Sequence, residues 1–373
     1  MTLRTLLLAT SATLTLSVAA RAEDAELLVF DWASFDNEGF YATYKEKHGD
    51  GPTFSFFGDD DEAYQKTASG FKADVIHPCS QMVGKYRDAG LIEPWDTSKL
   101  PEFASIDPQY LNSPVFSDDT GVWYVPTDWG PTSIAYNTTD VPAEDVSTLQ
   151  VFTDPKYAGR ISLPDNTDDI WALALLATGV TDWTTTTDEQ FAKAAEWLRL
   201  AHANVRSYWV DPGELAQLMA SGEVLVSWSW PDAVTLLMAD DFPIGFTRDQ
   251  KEGSSEFFCG WVNVKDDQGN EDKAYDFLNS WLRPEAGQVL LDVVGYGHSS
   301  TAAQAMVGAE AMAAVGLATP TTPVLPQAPA TGEPLAYLAY GRAPRWGSND
   351  FGSAPVQEQE VVALFDQAID LAG

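Results

Sequence analysis

Cysteine, histidine and basic side chains are scarce in this chain of 373 residues, and each shortage removes a class of explanation. Two cysteines, Cys79 and Cys259, cannot build a disulfide framework, so stability must come from apolar cores. A single bridge or two buried thiols are both open, and the thiols are the plainer expectation. The four histidines, His48, His77, His202 and His298, show no i, i+4 pair or other metal-ligand spacing, so no metal site is expected. A Gly-x-Ser-x-Gly elbow, a Gly-x-x-x-x-Gly-Lys phosphate loop and a Gly-x-Gly-x-x-Gly after a strand are also missing. His298 stands beside Ser299 and Ser300, but adjacency along the chain is not a triad, and a loop histidine is the expectation. Carboxylates are too abundant for any pair to indicate a glycosidase. No catalytic role and no cofactor are expected.

Against 55 Asp and Glu there are only 21 Lys and Arg, giving a net charge of −34. Such a field repels nucleic acid and anionic lipid and concentrates cations. Most of this acidity reads as solvation, so by itself it supports a cationic ligand only weakly. No segment reaches the roughly 20 uninterrupted apolar residues of a membrane span. The first 22 residues instead read as an export signal: Arg4, an apolar run over 6–20, and Ala20-Arg21-Ala22 as the cleavage pattern. Cleavage would start the mature chain at Glu23 and, by removing Arg4 and Arg21, take the charge to −36; no cysteine lies at the cut to carry a lipid anchor. About 350 remaining residues suit two domains, and 45% hydrophobic residues suffice to fill both cores.

Strand and helix patterns alternate along the chain. Residues 26–32, 53–57 and 74–77 read as strands, and 39–48, 61–70 and 79–89 as helices, the last ended by Gly90. The theme continues with a strand over 157–164, helices over 169–178 and 188–203, strands over 224–228 and 257–264, and a helix over 272–282. A Pro- and Ala-rich stretch over 318–334 reads as a surface connector, and 356–371 as a terminal helix. Strands joined by crossover helices predict α/β architecture with a mostly parallel sheet.

Tryptophan and tyrosine, 13 of each, are the chemistry that is present. Several stand where strands give way to loops, often beside a carboxylate: Asp31-Trp32, Asp128-Trp129, Asp169-Ile170-Trp171, Trp228-Ser229-Trp230-Pro231-Asp232 and Phe257-Phe258. In open α/β sheets, residues just past strand ends face the ligand crevice. Core packing is the expectation for Trp171 and Trp228. Aromatic faces with a carboxylate otherwise suit an ammonium group, and sugars are the rival ligand.

Taken in order, Leu27 to Phe35 with Gly39, Phe56-Phe-Gly-Asp-Asp-Asp-Glu62, Asp74 to Pro78, Ala89-Gly-Leu-Ile-Glu-Pro-Trp-Asp96, Tyr124-Val-Pro-Thr-Asp-Trp-Gly130 with Ile134-Ala-Tyr-Asn137, Gly159-Arg-Ile-Ser-Leu163, and Leu282-Arg-Pro-Glu285 through Val294-Gly-Tyr296 resemble the spermidine/putrescine-binding proteins of ABC importers. The resemblance implies a type II periplasmic-binding-protein fold: two α/β lobes, each a mostly parallel sheet flanked by helices, with the ligand cleft between them. It places one lobe at 23–133 plus about 260–308 and the other at 134–259 plus about 309–373, with lobe crossings near 133–136 and 258–261. It implies a periplasmic, monomeric receptor that hands a small amine to separate permease subunits.

Carried over residue by residue, the resemblance assigns ligand-binding roles to Trp32, Trp129, Asp169, Trp230, Phe258 and Tyr296, with Asp169 holding an ammonium. Family carboxylates fall instead on Ser34, Asn166 and Gly260, and a family aromatic on Gln81; of these Ser34, Asn166 and Gln81 are still assigned to the ligand site. Asp31, Asp128 and Asp232 are candidates to compensate. A quaternary ammonium or a zwitterion stays open beside a polyamine; a zwitterion would need an anion partner, for which Arg160 or a helix N-terminus is the candidate. A sugar-binding protein or an exported hydrolase is the rival class.

Overall fold

The computed structural model describes residues 23–111, 113, 116–183, 186–265, 271–317 and 324–326. The expected export signal, the expected terminal helix and most of the expected connector lie outside the described residues. In chain order the first lobe has β1 (Glu23–Trp32), α1 (Ala42–His48), β2 (Gly51–Phe57), α2 (Asp60–Ala68), β3 (Val75–Ile76), α3 (Val83–Asp88) and β4 (Ile92–Glu93). A short hairpin of β5 (Ser117–Asp118) and β6 (Gly121–Val122) precedes the long β7 (Val125–Asn137), which enters the second lobe. There follow β8 (Ile161–Pro164), α4 (Thr167–Ala177), α5 (Asp188–His202), β9 (Val205–Trp209), α6 (Pro212–Ala220), β10 (Val226–Ser229), α7 (Pro231–Ala239) and β11 (Ile244–Thr247). β12 (Ser254–Val264) returns the chain, and α8 (Glu271–Trp281), α9 (Pro284–Val294), β13 (Gly297–His298), α10 (Thr301–Val307), α11 (Ala309–Ala314) and β14 (Val324–Pro326) follow.

The main sheet runs β2-β1-β3-β12-β7-β10-β8-β9. Within each lobe the strands joined by helices are parallel: β1 with β2 and β3, and β8 with β9 and β10. The two long strands are antiparallel to each other and to their outer neighbours. β7 pairs with β12 up to Thr132 and with β10 and β11 from Ser133 onward, so these two strands are where one lobe passes into the other. This is the type II architecture, α/β in both lobes.

Local chemistry sets the helix starts. Asp59 caps α2 by accepting from the backbone N–H groups of Asp61 and Glu62, and Thr187 with Gln190 forms a capping box on α5. α6, α7 and α9 begin at Pro212, Pro231 and Pro284, whose ring suits the first helical position. These three helices were not expected from the sequence. The expected helix over 79–89 is shorter: a 3₁₀ turn over Ser80–Met82 leads into α3.

Buried apolar residues of the first lobe come from 27–129 and 257–317, and those of the second from 134–237. Phe257 and Cys259, expected in the second lobe, therefore pack with the first. In the late segment Ala311, Met312, Val315 and Leu317 pack on the first core, while the Gly316 carbonyl accepts from Arg248 at 3.4 Å. Cys79 and Cys259 are bonded, which overturns the expectation of two free thiols. They lie opposite one another, Cys79 just past β3 and Cys259 on β12, a pairing that a separation of 180 residues along the sequence conceals.

Candidate ligand-binding site

A cavity of about 340 Å³ opens between the lobes. The first lobe contributes Trp32, Ala33 and Phe35 from the end of β1, Phe56, Phe57 and Gly58 from the end of β2, and Asp60 and Glu62 from the first turn of α2. It also contributes Cys79 and Gln81 from beyond β3, Asp128, Phe257 and Cys259 from the long strands, and Tyr296 after α9. The second lobe contributes Asn166 and Asp169 after β8, Val210, Asp211 and Pro212 after β9, and Trp230 and Asp232 after β10. The parallel strands thus present their carboxyl ends to one crevice, as open α/β sheets do.

Seven lining residues are aromatic: Trp32, Phe35, Phe56, Phe57, Trp230, Phe257 and Tyr296. Trp32 faces Trp230 edge-on across the lobes with ring centres 6.3 Å apart, and its Nε1–H donates to the His77 carbonyl at 2.8 Å, which fixes the ring. Phe257 and Tyr296 meet edge to face at 5.0 Å. Gly130 makes room for both, since a Cβ there would meet Phe257 at 2.8 Å and Tyr296 at 3.4 Å.

Six lining residues are carboxylates, Asp60, Glu62, Asp128, Asp169, Asp211 and Asp232, and none of the lining residues is Lys, Arg or His. Asp169 accepts from the Thr132 hydroxyl at 2.6 Å and the Trp230 indole N–H at 2.8 Å. Burial lifts its pKa to about 6, while these two hydrogen bonds hold it down. Asp232 is pushed up to about 7, again by burial, and the Tyr296 hydroxyl donates to it at 3.5 Å. Burial drives Asp60 well above the usual range. Beneath the floor, His77 bridges Asp31 at 2.8 Å and Asp128 at 2.7 Å, all three buried. Burial alone would lower the imidazole pKa; Asp128 and Asp31 outweigh it and lift it to about 10.

Of the nine residues assigned from the resemblance, Trp32, Gln81, Asn166, Asp169, Trp230 and Tyr296 line this cavity. Trp129, Phe258 and Ser34 do not. Trp129 and Phe258 are partners across β7 and β12 and share the face turned away from the cavity. Trp129 lies over Gly297 in the first core, and Phe258 packs against Tyr110 and Phe116. Their strand neighbours Asp128 and Phe257 point the other way and line the cavity. Ser34 sits exposed on a turn with φ 76°. Gly260 could not have carried a carboxylate, because a Cβ there would lie 2.3 Å from the Val125 carbonyl oxygen, at a bulge in the pairing. Asn166 instead caps α4, accepting from the Asp169 N–H at 3.1 Å.

Asp128 and Asp232, candidates to compensate, both line the cavity, whereas Asp31 stays beneath it. Arg160 is exposed and donates to the carbonyls of Gly222 and Glu223, away from the cavity. Asp60, Glu62, Asp211 and Phe56 were not anticipated. Their signal is in the sequence, since the Phe56-Phe57-Gly58 and Trp209-Val210-Asp211 segments close strands as the tryptophan motifs do.

Comparison with known proteins gives a consistent result. The family described as bacterial extracellular solute-binding protein matches residues 40–333. The spermidine/putrescine-binding periplasmic protein of Escherichia coli (strain K12) is 26% identical over 295 residues, covering 78% of this chain and 83% of that protein. Among solved structures, the spermidine/putrescine ABC transporter substrate-binding protein PotD of Streptococcus pneumoniae superposes with a TM-score of 0.63 at 22% identity, over 77% of this chain and 86% of that one. The periplasmic binding protein MotA of A. tumefaciens B6, solved with glucopine, superposes at 0.67 and 17% identity, over 86% of this chain and 98% of that one. Among the described residues, no helix is long and apolar enough to cross a membrane.

Proposed function

Because the chain belongs to the bacterial extracellular solute-binding proteins, we propose that it captures a putrescine- or spermidine-like polyamine outside the cytoplasm and delivers it to the permease of an ABC importer. The observation that carries this reading is the cavity wall: seven aromatic rings and six carboxylates with no basic side chain among the lining residues. An aromatic face attracts an ammonium by roughly 0.5–2 kcal/mol, and a charge-assisted hydrogen bond adds about as much. Several such contacts together reach the roughly −8 kcal/mol of micromolar binding after entropic costs.

The lobes would close by bending where β7 and β12 pass between them, with Trp32, Asp60 and Gln81 reaching the ligand from one side and Asp169, Trp230 and Asp232 from the other. Ligand contacts to both lobes stabilise the shut state over the open one. Residues 1–22 would serve as the export signal. No catalytic step is assigned to any residue. An amino-acid-like zwitterion is disfavoured, because its carboxylate would face acidic side chains and no lining cation.

A thermal-shift panel of putrescine, spermidine, glycine betaine, amino acids and sugars tests the reading. A ligand at 100 times its dissociation constant stabilises by about 2.7 kcal/mol. Stabilisation by polyamines and not by sugars or amino acids is expected; a sugar-only response would assign the aromatic walls to sugar stacking.

A further inference from the structure

Gln81 stands in the cavity wall at 3% exposure, held in the 3₁₀ turn that follows the Cys79–Cys259 bridge. Its Nε2 donates to Asp60 Oδ2 at 3.2 Å within the first lobe and to Asp168 Oδ2 at 3.1 Å on α4 of the second. One side-chain amide therefore spans the cleft. Its orientation follows from Asp168: exchanging oxygen and nitrogen would set a carbonyl oxygen against the partly exposed carboxylate of Asp168. The oxygen that remains, Oε1, is buried with no hydrogen-bond partner. Among the described residues it is the one orphaned buried polar side-chain atom on a residue that lines the cavity. A buried acceptor left unpaired costs free energy that a bound donor would recover.

We infer that Gln81 is a specificity-determining residue whose Oε1 accepts an N–H from the ligand, so that the site selects amines bearing N–H groups over quaternary ammonium ions of similar charge. The inference rests on the cation-binding reading above. Aromatic faces and carboxylates attract either kind of cation, because both contacts respond to charge. A neutral carbonyl acceptor responds to the hydrogen, and a site built around such a bond rejects analogues that lack it far more strongly than apolar walls can. Because the same amide holds Asp168, the acceptor is in place when the lobes are shut, and selection would occur at closure.

Calorimetric titration of the full chain with putrescine, and with putrescine fully methylated at both nitrogens, provides the test. The unmodified protein should bind putrescine at least about tenfold more tightly. Gln81→Met, which keeps the length without the amide, should lose most of that preference while melting within a few degrees of the parent. Equal affinity for the two compounds in the unmodified protein would overturn the inference whether or not the variant folds, and so would an undiminished preference in folded Gln81→Met. Either result leaves the cation-binding reading standing. Binding of neither compound removes that reading and this inference together.

Discussion

The hydroxyl of Thr132 donates to Oδ1 of Asp169 at 2.6 Å, tying the strand that crosses between lobes to the first turn of α4. Thr132 lies opposite Ser255 on β12, at the point where β7 changes partners, so the carboxylate is anchored to the crossing itself. Thr132→Val should weaken binding of a cationic ligand by about 1 kcal/mol, roughly fivefold, and Thr132→Ser should restore it. Losing the bond also lets the Asp169 pKa climb, so the pH at which affinity falls off should move upward. Calorimetry across pH separates this from a purely structural loss, which would leave the pH profile in place.

Removing the charge itself is the larger change. Asp169→Asn should cost about 1.5–3 kcal/mol of affinity for a diamine, since a hydrogen bond to a charged group is lost. An unchanged dissociation constant would take this carboxylate out of the site.

Stability and affinity should respond to pH in opposite directions. Asp169 at about 6 and Asp232 at about 7 stand above the unfolded carboxylate value of about 3.9. The folded state therefore holds more protons, and the stability these groups contribute is complete below about pH 4 and lost as pH rises through about 6 to 7. A cationic ligand needs the ionised forms, so its affinity grows over that same interval. Raising pH from about 5 to about 8 should lower the contribution of these groups to the melting temperature of the empty protein while tightening putrescine binding. Affinity that stays flat over this range would exclude both carboxylates from ligand contact.

Both adjacent phenylalanines of β12 pack in the first lobe, and they should differ in their effect on binding. Phe257→Ala opens the cavity wall and should weaken binding. Phe258→Ala removes a ring from between Tyr110 and Phe116 and should destabilise by about 3 kcal/mol with little change in the dissociation constant. The opposite pattern would mean that the strand faces are assigned the wrong way round.

This parity is also what the sequence could not reveal. Alternation betrays the faces of a strand only when one face is wet, and 12 of the 13 residues of β7 are buried. By sequence alone Trp129 and Phe258 are therefore as suitable as Asp128 and Phe257. Where a strand ends at the crevice, the pattern is readable, as with Trp32 ending β1, Asp169 in the first turn of α4 and Trp230 capping α7. The α/β alternation followed from local periodicity and was legible for the same reason. The disulfide and the Gln81 bridge join residues far apart in sequence, and no local pattern encodes such meetings.

That bond invites a stability test. Closing a loop of 180 residues constrains the unfolded chain, and its removal should cost about 2–5 kcal/mol. Replacing both Cys79 and Cys259 with Ala should lower the melting temperature measurably, and a reductant should have no further effect on the variant. A variant as stable as the parent would show that the bridge adds nothing to the fold.

A crystal structure of the protein grown with putrescine tests most directly whether the cleft receives a cationic amine. The account predicts one ligand nitrogen at about 3 Å from a carboxylate oxygen of Asp169, with the carbon chain lying against Trp230, Phe257 and Tyr296. Putrescine bound elsewhere on the surface, with this cleft empty at saturating ligand, would contradict it.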